Sequence, residues 1–287
     1  MIVSKLQGGL GNQMFQYATA YSYSKTVYLD FSFLASQNAT NYHFTKRDFE
    51  LTLFPNLKYK EFTEFHHNLF FSKSRKYRLL RKLFQIKLNL IKQQENELVH
   101  IQKNRHIYFD GYFQSEQYFL SKRKELLNVF KFPALDKNNE AIRNKIIAHS
   151  NSVSLHIRRG DYLKEEIKNY HGILEQEYYD NAIETIKEKC SNVHFFVFSD
   201  DEDFAIEQYG NLENFTIVKG NSKNAWKDMA LMSYCKHHII ANSSFSWWGA
   251  WLSTYKDSIN IAPKKWFNPE LANFNIDDFV PSHWIKI

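Results

Sequence analysis

The sequence has few cysteines and no long apolar runs, and it lacks complete phosphate-loop signatures. Cys190 and Cys235 are the only two cysteines of 287 residues, and both lie in ordinary apolar patterns. That count and spacing exclude a disulfide framework and a zinc site, and point to a reducing compartment. No stretch reaches the roughly 20 apolar residues that span a bilayer. Met1 to Leu6 is too short for an export signal and runs straight into glycines. There is no internal repeat and no low-complexity tract. The glycine run Gln7-Gly8-Gly9-Leu10-Gly11-Asn12-Gln13 fails the dinucleotide pattern, because Met14 stands where the third glycine belongs. It fails the Walker pattern too, since no Gly-Lys-Ser/Thr follows. From these absences we expect a cytoplasmic protein, soluble or peripheral to a membrane.

At 44% hydrophobic residues the chain can bury a full core, and its length suits two domains or one large one. The net charge of +6 is unevenly spread: residues 73–105 hold ten Lys/Arg against Glu95 and Glu97, so that segment carries +8 and the rest −2. A nucleic-acid binder would spread its cations along a docking face. Here they interleave with Tyr77, Leu80, Phe84, Leu88 and Ile91 at helical spacing. The segment is then either a basic amphipathic helix in peripheral contact with the inner membrane or a packed helix with a solvated basic face.

The hydrophobic pattern alternates strands and helices. Ile2–Leu6 reads as a strand, 7–13 as a loop, Met14–Lys25 as a helix and Val27–Phe31 as a strand, the opening of a doubly wound domain. Three glycines beside a helix N-terminus can approach an anion closely. Residues 106–112 read as a strand and 116–130 as a helix. Pro133 and Asp136–Asn139 form a joint, followed by a helix to about Ile146. Val153, Leu155 and Ile157 alternate with Ser154, His156 and Arg158 in a strand that Gly160 ends. Residues 164–172 read as a loop, 176–190 as a helix and 193–198 as a buried strand. Shorter elements follow, with strands at 238–241 and 259–262. The expected domains are 1–145 and 146–287.

Three polar strand ends fall on one rim of the second domain: 156–161, 199–203 and 242–246. Ligands bind at such ends in open α/β sheets. Arg158 offers a rigid fork for phosphate. Ser243 and Ser244 with the N–H groups entering a helix complete a cradle. Asp200 or Asp201 could accept from guanine or from ribose hydroxyls. The rim suits a nucleoside diphosphate. Asp200-Asp201-Glu202-Asp203 could alternatively hold a divalent cation against that diphosphate, or form an acidic helix start. Trp247 and Trp248 are expected in the core.

Gly8–Ala18, His156-Ile157-Arg158-Arg159-Gly160-Asp161-Tyr162 and Asp228–Trp251, in this order, resemble the three signatures of the bacterial and animal α-1,2-fucosyltransferases. The resemblance implies a GT-B fold of two Rossmann-like doubly wound domains facing across a cleft. It implies inverting transfer of L-fucose from GDP-β-L-fucose to O2 of a terminal galactose on an oligosaccharide or lipid-linked glycan, without a metal or other cofactor. Residues 1–145 would take the acceptor and 146–287 the GDP-fucose. By likeness, Arg158 binds the β-phosphate, and His156 with Asp200 or Asp201 lies at the guanosine end. Asn242, Ser243, Ser244 and Phe245 line the pyrophosphate. From the first domain Gly9, Gly11 and Gln13 line the donor, with Asn12 reaching toward the fucose. Asp161, beside the arginines, would have its pKa pulled down and makes a poor base. Glu166 and His171 are the other candidate bases. A metal-dependent transferase using Asp200–Asp203 and a non-catalytic glycan- or nucleotide-binding module are the rival functions.

Overall fold

The computed structural model describes residues 1–36, 47–93, 98–160, 172–267 and 277–287. It divides into two compact units, Met1–Phe132 with Asn275–Phe279, and Pro133–Phe274 with Val280–Ile287. Each is an α/β unit on a parallel sheet, the class expected from the alternating pattern.

Unit 1 carries the sheet β3-β2-β1-β5-β4: β1 (Ile2–Lys5), β2 (Val27–Asp30), β3 (Tyr59–Glu61), β4 (Leu88–Lys92) and β5 (His106–Asp110). β1 is central, pairing Ile2 with Val27 on one side and Ile107 on the other. That position explains why Val3 and Leu29 are fully buried. The first helix, α1, runs Leu10–Tyr23 and so begins inside the glycine run, four residues before the predicted Met14. Gly9 is its N-cap, and Gly11, Asn12 and Gln13 are in its first turn rather than in a loop. A short helix α2 (Ser32–Ser36) follows β2.

The basic segment is not one helix. After α3 (Glu64–Phe71), α4 covers only Arg75–Leu83. Gln85 then takes a positive φ of 51°, and Leu88 and Ile91 belong to strand β4, paired in parallel with β5. The predicted helix over 116–130 is likewise two 3-10 turns followed by α5 (Arg123–Val129). The break falls at the fully buried Phe119, whose φ of −139° is not helical.

Unit 2 carries the sheet β11-β10-β9-β6-β7-β8: β6 (Asn151–Ile157), β7 (Val193–Ser199), β8 (Phe215–Ile217), β9 (His237–Ile239), β10 (Asn260–Ala262) and β11 (Ile285–Lys286). The core has two layers because β7 alternates. Phe195 and Val197 face Tyr179, Ile183 and Ile186 of α7 (Gln176–Lys189), while Phe196 and Phe198 pack with Ile146, Leu231 and Met232 on the opposite side. Ile146 belongs to α6 (Lys137–Ala148), and Leu231 and Met232 to α9 (Trp226–Tyr234). Asp136 caps α6 by accepting from Asn138 and Asn139 N–H at 3.1 and 3.0 Å and pairs with Lys227 at 2.6 Å. These contacts hold α6 to unit 2, so the division falls at Phe132–Pro133 and not at the expected 145–146. Two further helices complete the unit, α8 (Glu202–Tyr209) and α10 (Ser244–Trp251). Trp247 and Trp248 are core, as expected. Among the described residues no helix is long and apolar enough to cross a membrane.

Candidate functional site

β9, β6 and β7 are sheet neighbours, so the three polar strand ends do share one rim. The β6–β7 register ends with Ile157 opposite Ser199. The next rung therefore brings Arg158 against Asp200, with Nη1 to Oδ2 at 2.7 Å. Asp200 Oδ1 also accepts from the backbone N–H groups of Arg159 and Gly160, at 2.9 and 3.0 Å. A Cβ on Gly160 would lie 2.6 Å from Asp200 Oδ2, which is why a glycine stands there. The buried Tyr179 hydroxyl accepts from the Arg158 backbone N–H and fixes the other side of the turn. Asp201 caps α8 by accepting from Phe204 N–H at 3.1 Å and takes Arg159 Nε at 3.3 Å, while the Arg159 guanidinium lies 3.8 Å from the Phe204 ring centroid. Both carboxylates expected at the guanosine end are therefore engaged in orienting the arginines. The fixed fork of a guanidinium at a strand end, backed by a carboxylate, has the geometry to pair with an anion.

His156 sits one residue inside this rim, buried on β6 with its ring 5.8 Å from that of Phe245. Burial, and secondarily the nearby Arg158, push its pKa down to about 3, against the opposing pull of Asp200, so the imidazole is neutral. Its Nδ1 has no hydrogen-bond partner among the described residues. A buried ring nitrogen left unpaired is costly, which makes this atom a candidate ligand contact. Ser243 is the N-cap of α10 and accepts from Phe245 N–H at 3.3 Å, with Ser244 and Phe245 half-buried in the first turn. Asn242 is turned to another use. Its Nδ2 donates to Gly172 and Trp266 carbonyls, each at 3.3 Å, pinning two loops behind the rim.

The glycine signature of unit 1 serves mainly architecture. Gln13 is fully buried, and its Nε2 donates to Gly8 O and Asp48 O at 2.9 and 2.8 Å while its Oε1 accepts from Glu50 N–H at 3.0 Å. Both Nε2 donors are thus used within the chain, and Oε1 keeps one further lone pair. The half-buried Glu50 carboxylate accepts from Leu10 N–H, and burial raises its pKa. The anion at the α1 N-terminus is thus the chain's own carboxylate. A Cβ on Gly9 would meet Glu50 Oε1 and Arg47 Nε at 3.5 and 3.6 Å, ordinary contact distances, so segment 47–50 lies against this glycine without requiring it. Gly8 needs its positive φ of 76° and leaves room for the Asn12 side chain. Gly11 is buried within the helix. Asn12 stays partly exposed, and its Oδ1 accepts from Gln114 Nε2 at 2.7 Å.

Asp161, Glu166 and His171 lie outside the described residues. Among those described, no group of three or more His, Cys, Asp or Glu is placed to hold a metal ion. One titratable group was named in the third signature without a role. Asp228, on α9, accepts from Asn221 Nδ2 at 2.7 Å. Burial raises its pKa to about 7. The available signal was a lone carboxylate in an otherwise apolar helix pattern.

The family model of glycosyl transferase family 11 matches residues 1–287. An alpha-1,2-colitosyltransferase of Escherichia coli is 34% identical over 306 aligned residues, covering 100% of this chain and 99% of the relative. The Escherichia coli O-antigen biosynthesis glycosyltransferase WbnK is 35% identical over 311, covering 99% of each. Human galactoside alpha-(1,2)-fucosyltransferase 1 is 28% identical over 138, covering 47% of this chain and 34% of the relative. A match along the full length, with the arginine turn and the α10 start on one rim, makes this chain a member of glycosyl transferase family 11.

Proposed function

We propose that the protein is a cytoplasmic α-1,2-fucosyltransferase that moves L-fucose from GDP-β-L-fucose to O2 of a terminal galactose on a surface glycan precursor, with inversion and without a metal. The observation that carries this reading is Arg158, held at the rim by Asp200 beside the unpaired His156 Nδ1. In the transition state the bond to GDP lengthens and the β-phosphate gains negative charge, while the sugar becomes oxocarbenium-like. Arg158 stabilises the first of these, and such a preorganised donor is worth about 2.7–4 kcal/mol. Neutral His156 can exchange a hydrogen bond with the nucleotide without adding charge. The acceptor hydroxyl attacks from the face opposite GDP. Profiles of log kcat against pH for Asp161→Asn, Glu166→Gln and His171→Ala assign the group that takes its proton.

Supporting the linkage, the colitosyltransferase and the human fucosyltransferase are both α-1,2 enzymes by name. Fucose and colitose differ by a single hydroxyl, so the choice between them turns on that group. For the acceptor we assign a pocket of about 500 Å³ at the carboxyl ends of β2 and β3. Phe31, Phe49 and Tyr59 form an aromatic wall there, with Arg47, Asp48 and Glu61 beside it. Apolar ring faces ringed by hydrogen-bonding side chains suit a sugar. Gln13 fixes this pocket's backbone through Asp48 and Glu50.

The test is release of GDP from GDP-fucose and GDP-colitose with a panel of β-galactosides in excess EDTA, followed by linkage analysis. Transfer to O2 of galactose is expected, with Arg158→Ala slower by roughly 100-fold or more. Loss of activity in EDTA would favour the metal-dependent alternative on Asp200–Asp203. Saturable GDP-fucose binding without turnover would favour the binding module.

A further inference from the structure

Beyond this activity, the α3–α4 face of unit 1 carries a second feature. α4 has no buried residue. It is held to α3 by Arg81, whose Nη1 and Nη2 donate to Leu69 O and Ser72 O at 2.8 and 2.7 Å, and by the ring of Tyr77, 6.3 Å from Phe65. That leaves Leu79 and Leu83, one turn apart, standing outward with 65% and 70% exposure, and Phe84 next to them at 61%. An apolar groove of about 330 Å³ between Phe65, Leu69, Leu80, Phe84 and Ile86 adjoins the ridge. Exposed cations surround it: Lys73, Arg75, Lys76, Arg78, Lys82 and Lys87. The sequence has no acid from residue 73 to residue 93, and among the described residues none of these six has a carboxylate partner.

Three large apolar side chains together in water are a cost unless something covers them. A second copy of this face would bring two acid-free cationic rings into register, which repel. At about 100° per residue, Arg75, Arg78 and Lys82 fall on one side of Leu79 and Leu83 along α4, and Lys76 on the other. Long basic side chains in that arrangement reach up to phosphates while the apolar tips go deeper.

We propose that α4 docks the protein on an anionic lipid bilayer, with Leu79, Leu83 and Phe84 at the headgroup–acyl boundary and the flanking Lys and Arg on lipid phosphates. The test uses the full chain and sucrose-loaded vesicles of phosphatidylcholine with or without phosphatidylglycerol. Sedimentation with the anionic vesicles only is expected. Lys76→Glu/Arg78→Glu/Lys82→Glu should weaken partitioning by roughly 100-fold or more, and Leu79→Ser/Leu83→Ser/Phe84→Ser by at least about tenfold. Both variants replace exposed residues, so unchanged circular dichroism and unchanged turnover of a water-soluble galactoside are expected alongside. No lipid-dependent sedimentation would overturn the proposal. So would binding that the serine variant leaves intact, since that is adsorption by charge alone. A wild-type dimer on a sizing column that the serine variant abolishes would assign the ridge to a second copy instead and equally refute it.

Discussion

Asp200→Asn isolates what the carboxylate does for Arg158. The asparagine keeps one oxygen to accept from the Arg159 and Gly160 N–H groups, at the positions now 2.9 and 3.0 Å away. It replaces the oxygen facing Arg158 Nη1, now at 2.7 Å, with a second donor or an uncharged acceptor. A charge-assisted hydrogen bond contributes about 1.5–3 kcal/mol. Both side chains keep about a quarter of their surface in water, at 23% and 25% exposure, so solvent screening favours the lower part of that range. If about 1.5–2 kcal/mol of arginine positioning is lost, turnover falls roughly 10- to 30-fold at about 1.36 kcal/mol per decade. Stability should change by less than about 1 kcal/mol, because neither partner belongs to the core. The assay is the initial rate of GDP release, with a thermal melt on the same sample. Two residues acting as one unit are also non-additive: Asp200→Asn should cost little more once Arg158 is already alanine. Normal turnover in Asp200→Asn, or independent multiplication of the two defects, would refute the buttress.

Two further outcomes follow from the half-buried Asp228 and the buried Gln13. Asp228 has its pKa raised from 3.8 to about 7 in the fold, so the native state holds a proton that the unfolded chain releases. Its contribution is greatest below about pH 4, falls as the pH rises to about 7, and is flat above that. Urea titrations should therefore show the wild type losing stability relative to Asp228→Asn across this window, by a total on the order of 4 kcal/mol; parallel curves would remove the buried acid. Gln13→Ala strips three hydrogen bonds from Gly8, Asp48 and Glu50. It should lower stability by about 3 kcal/mol and raise the acceptor KM more than the donor KM; an unchanged KM for acceptor would break its link to the pocket beside Arg47.

The strands and helices of unit 2 were legible because their apolar residues alternate without ambiguity. The rim was legible too, because Gly160, the 199–203 acids and Asn242–Ser246 each end a strand. Asp200 was less so. A metal, a guanosine and an arginine all ask for the same carboxylate, and it is the β6–β7 register that brings the arginine to it. The glycine signature misled in a similar way, since an amide such as that of Gln13 serves a backbone as well as a ligand. In the basic segment, helical spacing continued past Phe84 by coincidence. The positive φ at Gln85 and the pairing with β5 turn Leu88 and Ile91 into strand residues. No local pattern reports a tertiary pairing of that kind. The expected 145–146 boundary failed for the same reason, because the contacts of Asp136 and Ile146 are long-range.

The Arg158–Asp200 pair is in effect one more rung of a ladder whose last backbone pair is Ile157–Ser199. Ladder ends are where a sheet opens first and most often. An anion clamped by Arg158 would tie down that loose end, so ligand binding and local closure are one event. Amide exchange at 156–160 and 199–201 would then slow on nucleotide binding while the middle of β6 and β7 stays as it was. By the same logic the Arg158 fork is set only as the sheet finishes zipping: a chain with a frayed final rung keeps its fold and loses the fixed guanidinium.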